Sequence, residues 1–144
     1  MKEYLINKTD KVAIDTNVLV YAYQNEDLLL KDISIEILKV DNLYVSHFAF
    51  IEFLHIIKFR KMTKIDVLGF GNNILEIIRL NDCNKETYNL AYFLIKRYDC
   101  SLPDSIIIAD AIINNCDILY SRDMQHNQIY EKRTRIINPY KHSP

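Results

Sequence analysis

Glycine is scarce in this sequence, and the scarcity excludes several kinds of nucleotide-binding site. The two glycines, Gly69 and Gly71, stand in neither G-x-G-x-x-G nor G-x-x-x-x-G-K, the patterns whose backbone cradles nucleotide phosphates. Enzymes with nucleotide cofactors are therefore disfavoured. The three cysteines are widely spaced and form no C-x-x-C, which argues against a disulfide framework and against a zinc site, and which fits a reducing compartment.

Two further absences concern charge and membranes. Eighteen Lys and Arg residues against nineteen Asp and Glu residues give a formal net charge of -1, so any binding of nucleic acid must be local. Charges interrupt the N-terminal segment where a signal peptide needs apolar residues. No apolar run reaches the ~18 residues of a membrane span, since even SIIIADAII contains Asp110. We expect a cytoplasmic protein without a membrane segment.

The apolar residues that are present suffice for one well-packed core. A length of 144 residues with 49% hydrophobic residues predicts a single domain over residues 1–144, in which 139–144 form a loose tail. Short apolar runs that alternate with helical patterns predict an α/β fold. We expect strands at 12–14, 43–45, 118–120 and, as an edge strand, 135–137, and helices after Asp15, at 28–40, 47–59, 65–80 and 86–98, and from about Pro103.

The first strand and its following turn are the most informative stretch. Val12 to Ile14 is a short apolar run typical of a strand buried on both faces of a parallel sheet, and Asp15 ends it. Thr16 or Asn17 is a suitable cap for the next helix. Because ligands gather at the carboxyl ends of parallel strands, Asp15 is a candidate site residue. The alternative is that Asp15 is only a turn or capping residue.

A second acidic residue, Glu52, lies within an almost entirely apolar helix, HFAFIEFLHIIKF. A buried carboxylate is costly without a partner, and a metal ion would offset that cost. The alternative is an ion pair with Lys58, Arg60 or another basic side chain. The aromatic residues of this helix, among them Phe48, Phe50 and Phe53, also suggest that the helix forms a protein interface.

The densest basic cluster in the sequence follows that helix. It could contact RNA phosphates, although a charge run is usually a solvated face. The cluster consists of Lys58, Arg60, Lys61 and Lys64.

The stretch SLPDSIIIADAII offers two more acids. Pro103 suits the first turn of a helix, which places Asp104 near the helix start, where Ser101 and Asp104 also have the spacing of a capping box. Asp110 lies six residues later and points about 120° away on a helix. We therefore favour Asp104 as the site residue.

A fourth acid repeats the arrangement around Asp15. The apolar run Ile118 to Tyr120 predicts a buried strand, and Asp123 follows it. A parallel sheet would bring Asp15, Asp123, Asp104 and Glu52 to one edge. Clustered carboxylates repel one another, and a hard divalent ion such as Mg²⁺ or Mn²⁺ compensates the repulsion. Metal-dependent cleavage of phosphodiesters is the chemistry that follows.

The sequence resembles PIN-domain ribonucleases in three blocks, VAIDTNVLVYAY, YVSHFAFIEF and LPDSIIIADAIINNCDILYSRDMQH. It is most similar to VapC-like toxins of toxin-antitoxin pairs. The resemblance implies a three-layer α/β/α domain with a central parallel sheet. It also implies that Asp15, Glu52, Asp104 and Asp123 are the catalytic and metal-binding acids, and that Asn17 and Ser121 are polar residues beside the metal.

The resemblance further implies an endoribonuclease that cleaves single-stranded or looped RNA, forms a homodimer and is inhibited by a cognate antitoxin. Asp110 departs from the family pattern, in which a small or hydroxyl residue is more common; it could add a metal ligand, or face elsewhere as the helix geometry indicates. Two other readings remain open. One is a PIN-like module that has lost activity and only binds RNA or protein. The other makes Asp15 a phosphatase nucleophile, but Asn17 stands where that chemistry needs a second acid.

Overall fold

A computed structural model describes residues 10–58 and 63–141, which form alternating strands and helices. The strands are β1 (Val12–Ile14), β2 (Leu43–Ser46), β3 (Arg79–Asn81), β4 (Ile118–Tyr120), β5 (Ile129–Tyr130) and β6 (Thr134–Ile137). The helices are α1 (Thr16–Tyr23), α2 (Leu28–Leu38), α3 (His47–Lys58), α4 (Lys64–Ile77), α5 (Lys85–Tyr98) and α6 (Leu102–Ile113).

The strands form one six-stranded sheet in the order β3-β2-β1-β4-β6-β5. Every neighbouring pair is parallel except β5 with β6, which is antiparallel. The α/β fold with a central parallel sheet flanked by helices is therefore confirmed. Because β1 and β4 are parallel neighbours in the middle of the sheet, the segments that follow them emerge at the same edge, which we call the carboxyl edge.

Two strands, β3 and β5, were not predicted by the sequence. Arg79 and Leu80 in β3 are exposed, so this edge strand lacks the apolar run that marks a buried one. β5 has only two residues, and its hairpin turn uses Glu131 and Lys132 with positive φ, where glycine or asparagine would have been a signal. As a result β6 is an internal strand, and the prediction that it forms the edge was wrong.

The core lies against both faces of the central strands. All three residues of β1 and of β4 are buried, as expected for strands covered on both sides. Phe50 and Phe53 of α3 belong to this core, and their rings lie 6.3 Å apart. Replacing a buried phenylalanine by alanine costs about 3–5 kcal/mol of stability. These two aromatic side chains therefore stabilise the domain itself, and they do not provide the exposed interface that the sequence suggested.

The C-terminal segment also differs from the expectation of a loose tail from residue 139. Tyr140 is buried, and its hydroxyl lies 2.7 Å from Ser34 Oγ in α2. Its ring packs edge-on against Tyr21 of α1. The described part of the tail is thus anchored to two helices, whereas residues 142–144 lie outside the described residues.

Among the helices of the described ranges, none is long and apolar enough to cross a membrane.

Candidate active site

Asp15 lies at the carboxyl edge, directly after β1, and is buried. It is itself the N-cap of α1, because its Oδ1 accepts a hydrogen bond of 2.7 Å from the amide of Thr16. The prediction that Thr16 or Asn17 caps this helix was therefore wrong. Asp15 Oδ2 accepts a second hydrogen bond, 2.8 Å long, from Ser121 Oγ. Asp15 thus caps the helix and still directs one oxygen toward the end of β4.

The segment Ser121-Arg122-Asp123 after β4 binds the β1–α1 segment through three consecutive side chains. Ser121 donates to Asp15, Arg122 Nη1 donates to the Tyr21 hydroxyl at 3.0 Å, and Asp123 Oδ2 accepts from Asn17 Nδ2 at 2.6 Å. Ser121 Oγ also accepts from the amide of Met124, which fixes the backbone of the turn. We call these three contacts the clamp. The clamp brings Asp15 and Asp123 to one place.

Asp104 and Glu52 come from two different helices. Asp104 lies in the first turn of α6, where the hydroxyl of the N-cap residue Ser101 accepts from the Asp104 amide at 3.3 Å. Glu52 lies on α3 and is half-buried. Among the described residues Glu52 forms no ion pair, so the predicted alternative of a pair with Lys58 finds no support. The other named partner, Arg60, lies outside the described residues.

The electrostatics show that these four acids share one region. Burial raises the pKa of Asp15 to about 6, hydrogen bonds from Ser121 and Thr16 oppose the rise, and the charges of Asp104 and Glu52 add to it. Burial likewise raises the pKa of Asp104, the hydrogen bond with Ser101 opposes this, and the charges of Asp123 and Glu52 add to it. We call Asp15, Glu52, Asp104 and Asp123 the acid cluster. Within it, the neighbouring negative charges destabilise the charged forms of Asp15 and Asp104.

Asp110, the other acid of α6, has a different environment. It is buried, and its Oδ2 accepts a hydrogen bond of 2.8 Å from Asn81 Nδ2 at the end of β3. Burial raises its pKa to about 6, and the bond from Asn81 opposes that rise. Asp110 therefore ties α6 to β3.

The acid cluster offers the donor chemistry of a hard divalent cation, because carboxylate oxygens are the ligands that Mg²⁺ and Mn²⁺ prefer. Within the described ranges, no group of three Asp, Glu, His or Cys side chains is placed to hold one metal ion directly. Mg²⁺ usually keeps several waters and takes only one or two carboxylates, so the donor set fits such an ion. Thr16 Oγ1, beside Asp15, is buried without a hydrogen-bond partner in the described part of the chain, which leaves a further polar group at this place.

Two members of the predicted basic cluster, Lys58 and Lys64, are exposed. The other two, Arg60 and Lys61, lie outside the described residues.

Sequence reasoning missed Arg122 and Tyr21, which complete the clamp. A signal was available on α1: Asn17 and Tyr21 are four residues apart and therefore lie on one helix face. Partners for that face had to come from a distant segment, and the sequence gives no indication that Arg122 rather than another cation would supply one.

The fold and the acid cluster together define the class of this protein, an α/β domain with a carboxylate site at the carboxyl edge of a parallel sheet. The chain belongs to the PIN domain family, whose model matches residues 12–132. No curated protein matches it by sequence.

Several solved structures share the fold. A chain of a toxin-antitoxin complex from Klebsiella pneumoniae has a TM-score of 0.70 and 17% identity, over 90% of this chain and 98% of that one. The Mycobacterium tuberculosis toxin VapC20, described as cleaving the sarcin-ricin loop, has a TM-score of 0.63 and 12% identity, over 76% of this chain and 87% of that one. A chain of VapBC2 from Rickettsia felis has a TM-score of 0.62 and 15% identity, over 78% and 87%.

Proposed function

We propose that this PIN-domain protein is a Mg²⁺- or Mn²⁺-dependent endoribonuclease that cleaves single-stranded or looped RNA and acts as the toxin of a toxin-antitoxin pair. The observation that carries the proposal is the acid cluster. Hydrogen bonds from Ser121 and Asn17 hold Asp15 and Asp123 at the carboxyl edge, and the charges of Glu52, Asp104 and Asp123 act on Asp15 or Asp104. Such a concentration of negative charge opposes folding unless a cation offsets it. The family membership supports the same reading.

The residues of the acid cluster would hold the ion, which when bound lowers the pKa of a water and stabilises charge on the phosphate. The protein's own contribution is to fix the carboxylates. Asp15 cannot turn away, because each of its oxygens already accepts one hydrogen bond, from Thr16 and from Ser121. Each carboxylate oxygen has a second lone pair free for a ligand. Asn17 Nδ2 holds Asp123 through one of its carboxylate oxygens, Oδ2.

The test uses purified protein with single-stranded and stem-loop RNA in the presence of Mg²⁺ or Mn²⁺. We expect cleavage that EDTA abolishes and that either ion restores. Asp15→Asn is the matched control, because it keeps the shape of the side chain and removes its charge. Cleavage that persists in EDTA, or that the Asp15→Asn protein performs as well as the wild type, would contradict the proposal.

A second candidate function is a PIN-like module that binds RNA or protein without cleaving it. It is favoured by one observation, that no three potential metal ligands in the described ranges converge on a single point. Isothermal titration with Mn²⁺ separates the two functions. An inactive module would bind RNA yet take up no metal at the acid cluster, so Asp15→Asn would not change the titration.

The toxin assignment requires a partner that inhibits the enzyme. Structural neighbours of this chain come from toxin-antitoxin complexes, including that of Klebsiella pneumoniae and VapBC2. We propose that a small protein encoded beside this chain's gene neutralises it. Co-expression should relieve growth inhibition by the wild type, and an inactive Asp15→Asn protein should inhibit growth in neither case.

We also propose a homodimer. Phe50 and Phe53 do not support it, because they are buried in the core. Large apolar residues on the neighbouring helices α3 and α4 are exposed instead, namely Ile51, Ile65 and Leu68. Light scattering should give twice the mass of one chain at micromolar concentration, and Leu68→Glu should shift the mass toward the monomer. A wild-type monomer at all concentrations would contradict the dimer.

A further inference from the structure

Arg122 is a cation that the fold places beside Asp123 of the acid cluster. It directly precedes Asp123 in the clamp, and its side chain is exposed. The hydrogen bond with Tyr21 raises the pKa of its guanidinium, and the nearby carboxylates of Asp123 and Asp27 add to that rise. The charges that act on Asp15 and on Asp104 are, in contrast, all those of other acids. Arg122 therefore places a positive charge at the Asp123 side of a site whose other charges are negative.

Three contacts fix Arg122 in place. Its Nη1 donates to the Tyr21 hydroxyl at 3.0 Å, and its guanidinium carbon lies 5.5 Å from the centre of the Tyr21 ring. Its backbone carbonyl accepts from Asn138 Nδ2 at 3.2 Å. Tyr21 is itself held, since its ring packs edge-on against the buried Tyr140 with centroids 5.3 Å apart. An exposed arginine with this much support has lost much of the rotamer entropy that binding would otherwise cost.

The guanidinium remains available to a ligand. In the described part of the chain no carboxylate forms an ion pair with it. Arginine has five N–H donors, and the Tyr21 hydroxyl takes only one of them. The planar fork matches two oxygens of a phosphate at once.

An RNA strand that approaches the acid cluster meets repulsion between its phosphates and four carboxylates, and a fixed neighbouring cation reduces that repulsion. We propose that Arg122 binds a backbone phosphate of the RNA beside the scissile bond and that Tyr21 is its positioning residue. This inference rests on the proposed function, because it requires RNA at the acid cluster.

The experiment measures RNA binding without cleavage. In the Asp15→Asn background, affinity for a single-stranded RNA is measured between 50 and 200 mM salt, a range in which phosphate contacts are resolved. Arg122→Gln should weaken binding about three- to tenfold and reduce the slope of log affinity against log salt by about one. Arg135→Gln is the matched control, because Arg135 is exposed at the opposite edge, where it pairs in register with the first residue of β4. It should change neither quantity.

Two milder variants separate positioning from phosphate binding. Tyr21→Phe keeps the ring under the guanidinium and removes only the hydroxyl, so it should weaken binding by less than Arg122→Gln without altering the salt slope. Arg122→Lys should restore the slope but only part of the affinity, since an ammonium keeps the charge and lacks the fork. In the cleaving protein, Arg122→Gln should raise KM more than it lowers kcat.

The inference is overturned if Arg122→Gln, still folded by circular dichroism, matches Arg135→Gln in affinity and in salt slope. Failure of the proposed function has a different signature. A wild-type chain that binds RNA but never cleaves it leaves the comparison of Arg122 with Arg135 intact, whereas a wild-type chain that binds no RNA overturns both.

Discussion

The two acids of α6 make an instructive pair. Asp104 in the first turn and Asp110 nearly two turns later both have a pKa above the usual value for aspartate, and burial is the largest cause in each case. Their neighbours differ. The charges of Asp123 and Glu52 act on Asp104, whereas Asp110 has the neutral amide of Asn81.

The comparison shows that carboxyls whose pKa is raised by burial can have very different surroundings. Asp110 has been taken out of water to join two elements of the fold, and its amide partner lowers the cost of that burial. Asp104 has been placed among other negative charges, which serves no structural purpose. Repulsion between like charges, rather than burial, is therefore the feature that distinguishes Asp104 from Asp110.

The largest expected effect is on Asp15, the most buried member of the acid cluster. Asp15→Asn should lower kcat by more than about 100-fold, since replacing even the partners of metal ligands costs 10–100-fold. The fold should remain intact, because an asparagine oxygen still caps α1. Single-turnover cleavage and circular dichroism check the two parts. If Asp15→Asn does not fold, its loss of activity says nothing about the mechanism. Asp15→Glu, which keeps the charge, would then be measured instead.

The next effect tests the comparison directly. Asp104→Asn should lower kcat by about 100-fold, whereas Asp110→Asn should change it by less than about threefold, because only Asp104 lies among the charges of the cluster. Both are assayed at saturating Mn²⁺. Equal and severe losses would show that Asp110 supports the site, and full activity of the Asp104 variant would remove that residue from it.

A third prediction concerns the pH dependence of stability at Asp110. Its pKa is about 6 in the folded protein against a usual 3.8, so between these values the folded state keeps a proton that the unfolded chain has released. The contribution of Asp110 to the free energy of unfolding is complete below pH 3.8 and is lost as pH rises through about 6. Asp110→Asn should remove this loss, which reaches about 3 kcal/mol above pH ~6 relative to pH ~4.

Urea unfolding of the wild type and the Asp110→Asn protein across that pH range measures the difference. The exposed Asp32 provides the control, since Asp32→Asn should run parallel to the wild type. Parallel curves for Asp110→Asn as well would mean that the carboxyl binds its proton equally in the folded and unfolded states, and so is more hydrated than its burial indicates.

The smallest effects are expected at Ser121 and Asn81, whose side chains donate hydrogen bonds to Asp15 and Asp110. Ser121→Ala removes the hydrogen bond to Asp15 and should lower kcat about tenfold, with a loss of about 1 kcal/mol in stability. Asn81→Ala removes the partner of Asp110 and should cost about 1–3 kcal/mol in stability without changing kcat. Cleavage assays and unfolding curves on both variants check whether Ser121→Ala lowers kcat and whether Asn81→Ala lowers stability alone. A drop in kcat for Asn81→Ala would show that Asn81 and Asp110 also support the acid cluster.

Much of this arrangement was predictable because it depends on local patterns. Apolar runs followed by an acid predicted β1 with Asp15 and β4 with Asp123. The helix-start residues Ser101 and Pro103 predicted the position of Asp104. The helix angle also predicted that Asp110 would face elsewhere. What Asp110 faces was not predictable, because Asn81 lies on a strand with two exposed residues and no apolar signature. The pairing of Arg122 with Tyr21 was hidden for a similar reason, since it joins residues 101 positions apart.

The distance along the chain between the two sides of the clamp has a consequence for synthesis. Asp15 and Ser121 are separated by 106 residues, and so are Asn17 and Asp123. While the chain is being translated, β1 has no β4 beside it, and Asp15 has neither its hydroxyl donor nor its neighbouring acid. Long-range contacts of this kind form late and slowly. The acid cluster therefore cannot assemble before the chain through Asp123 is free to fold against β1, so the carboxylate site is completed late in synthesis.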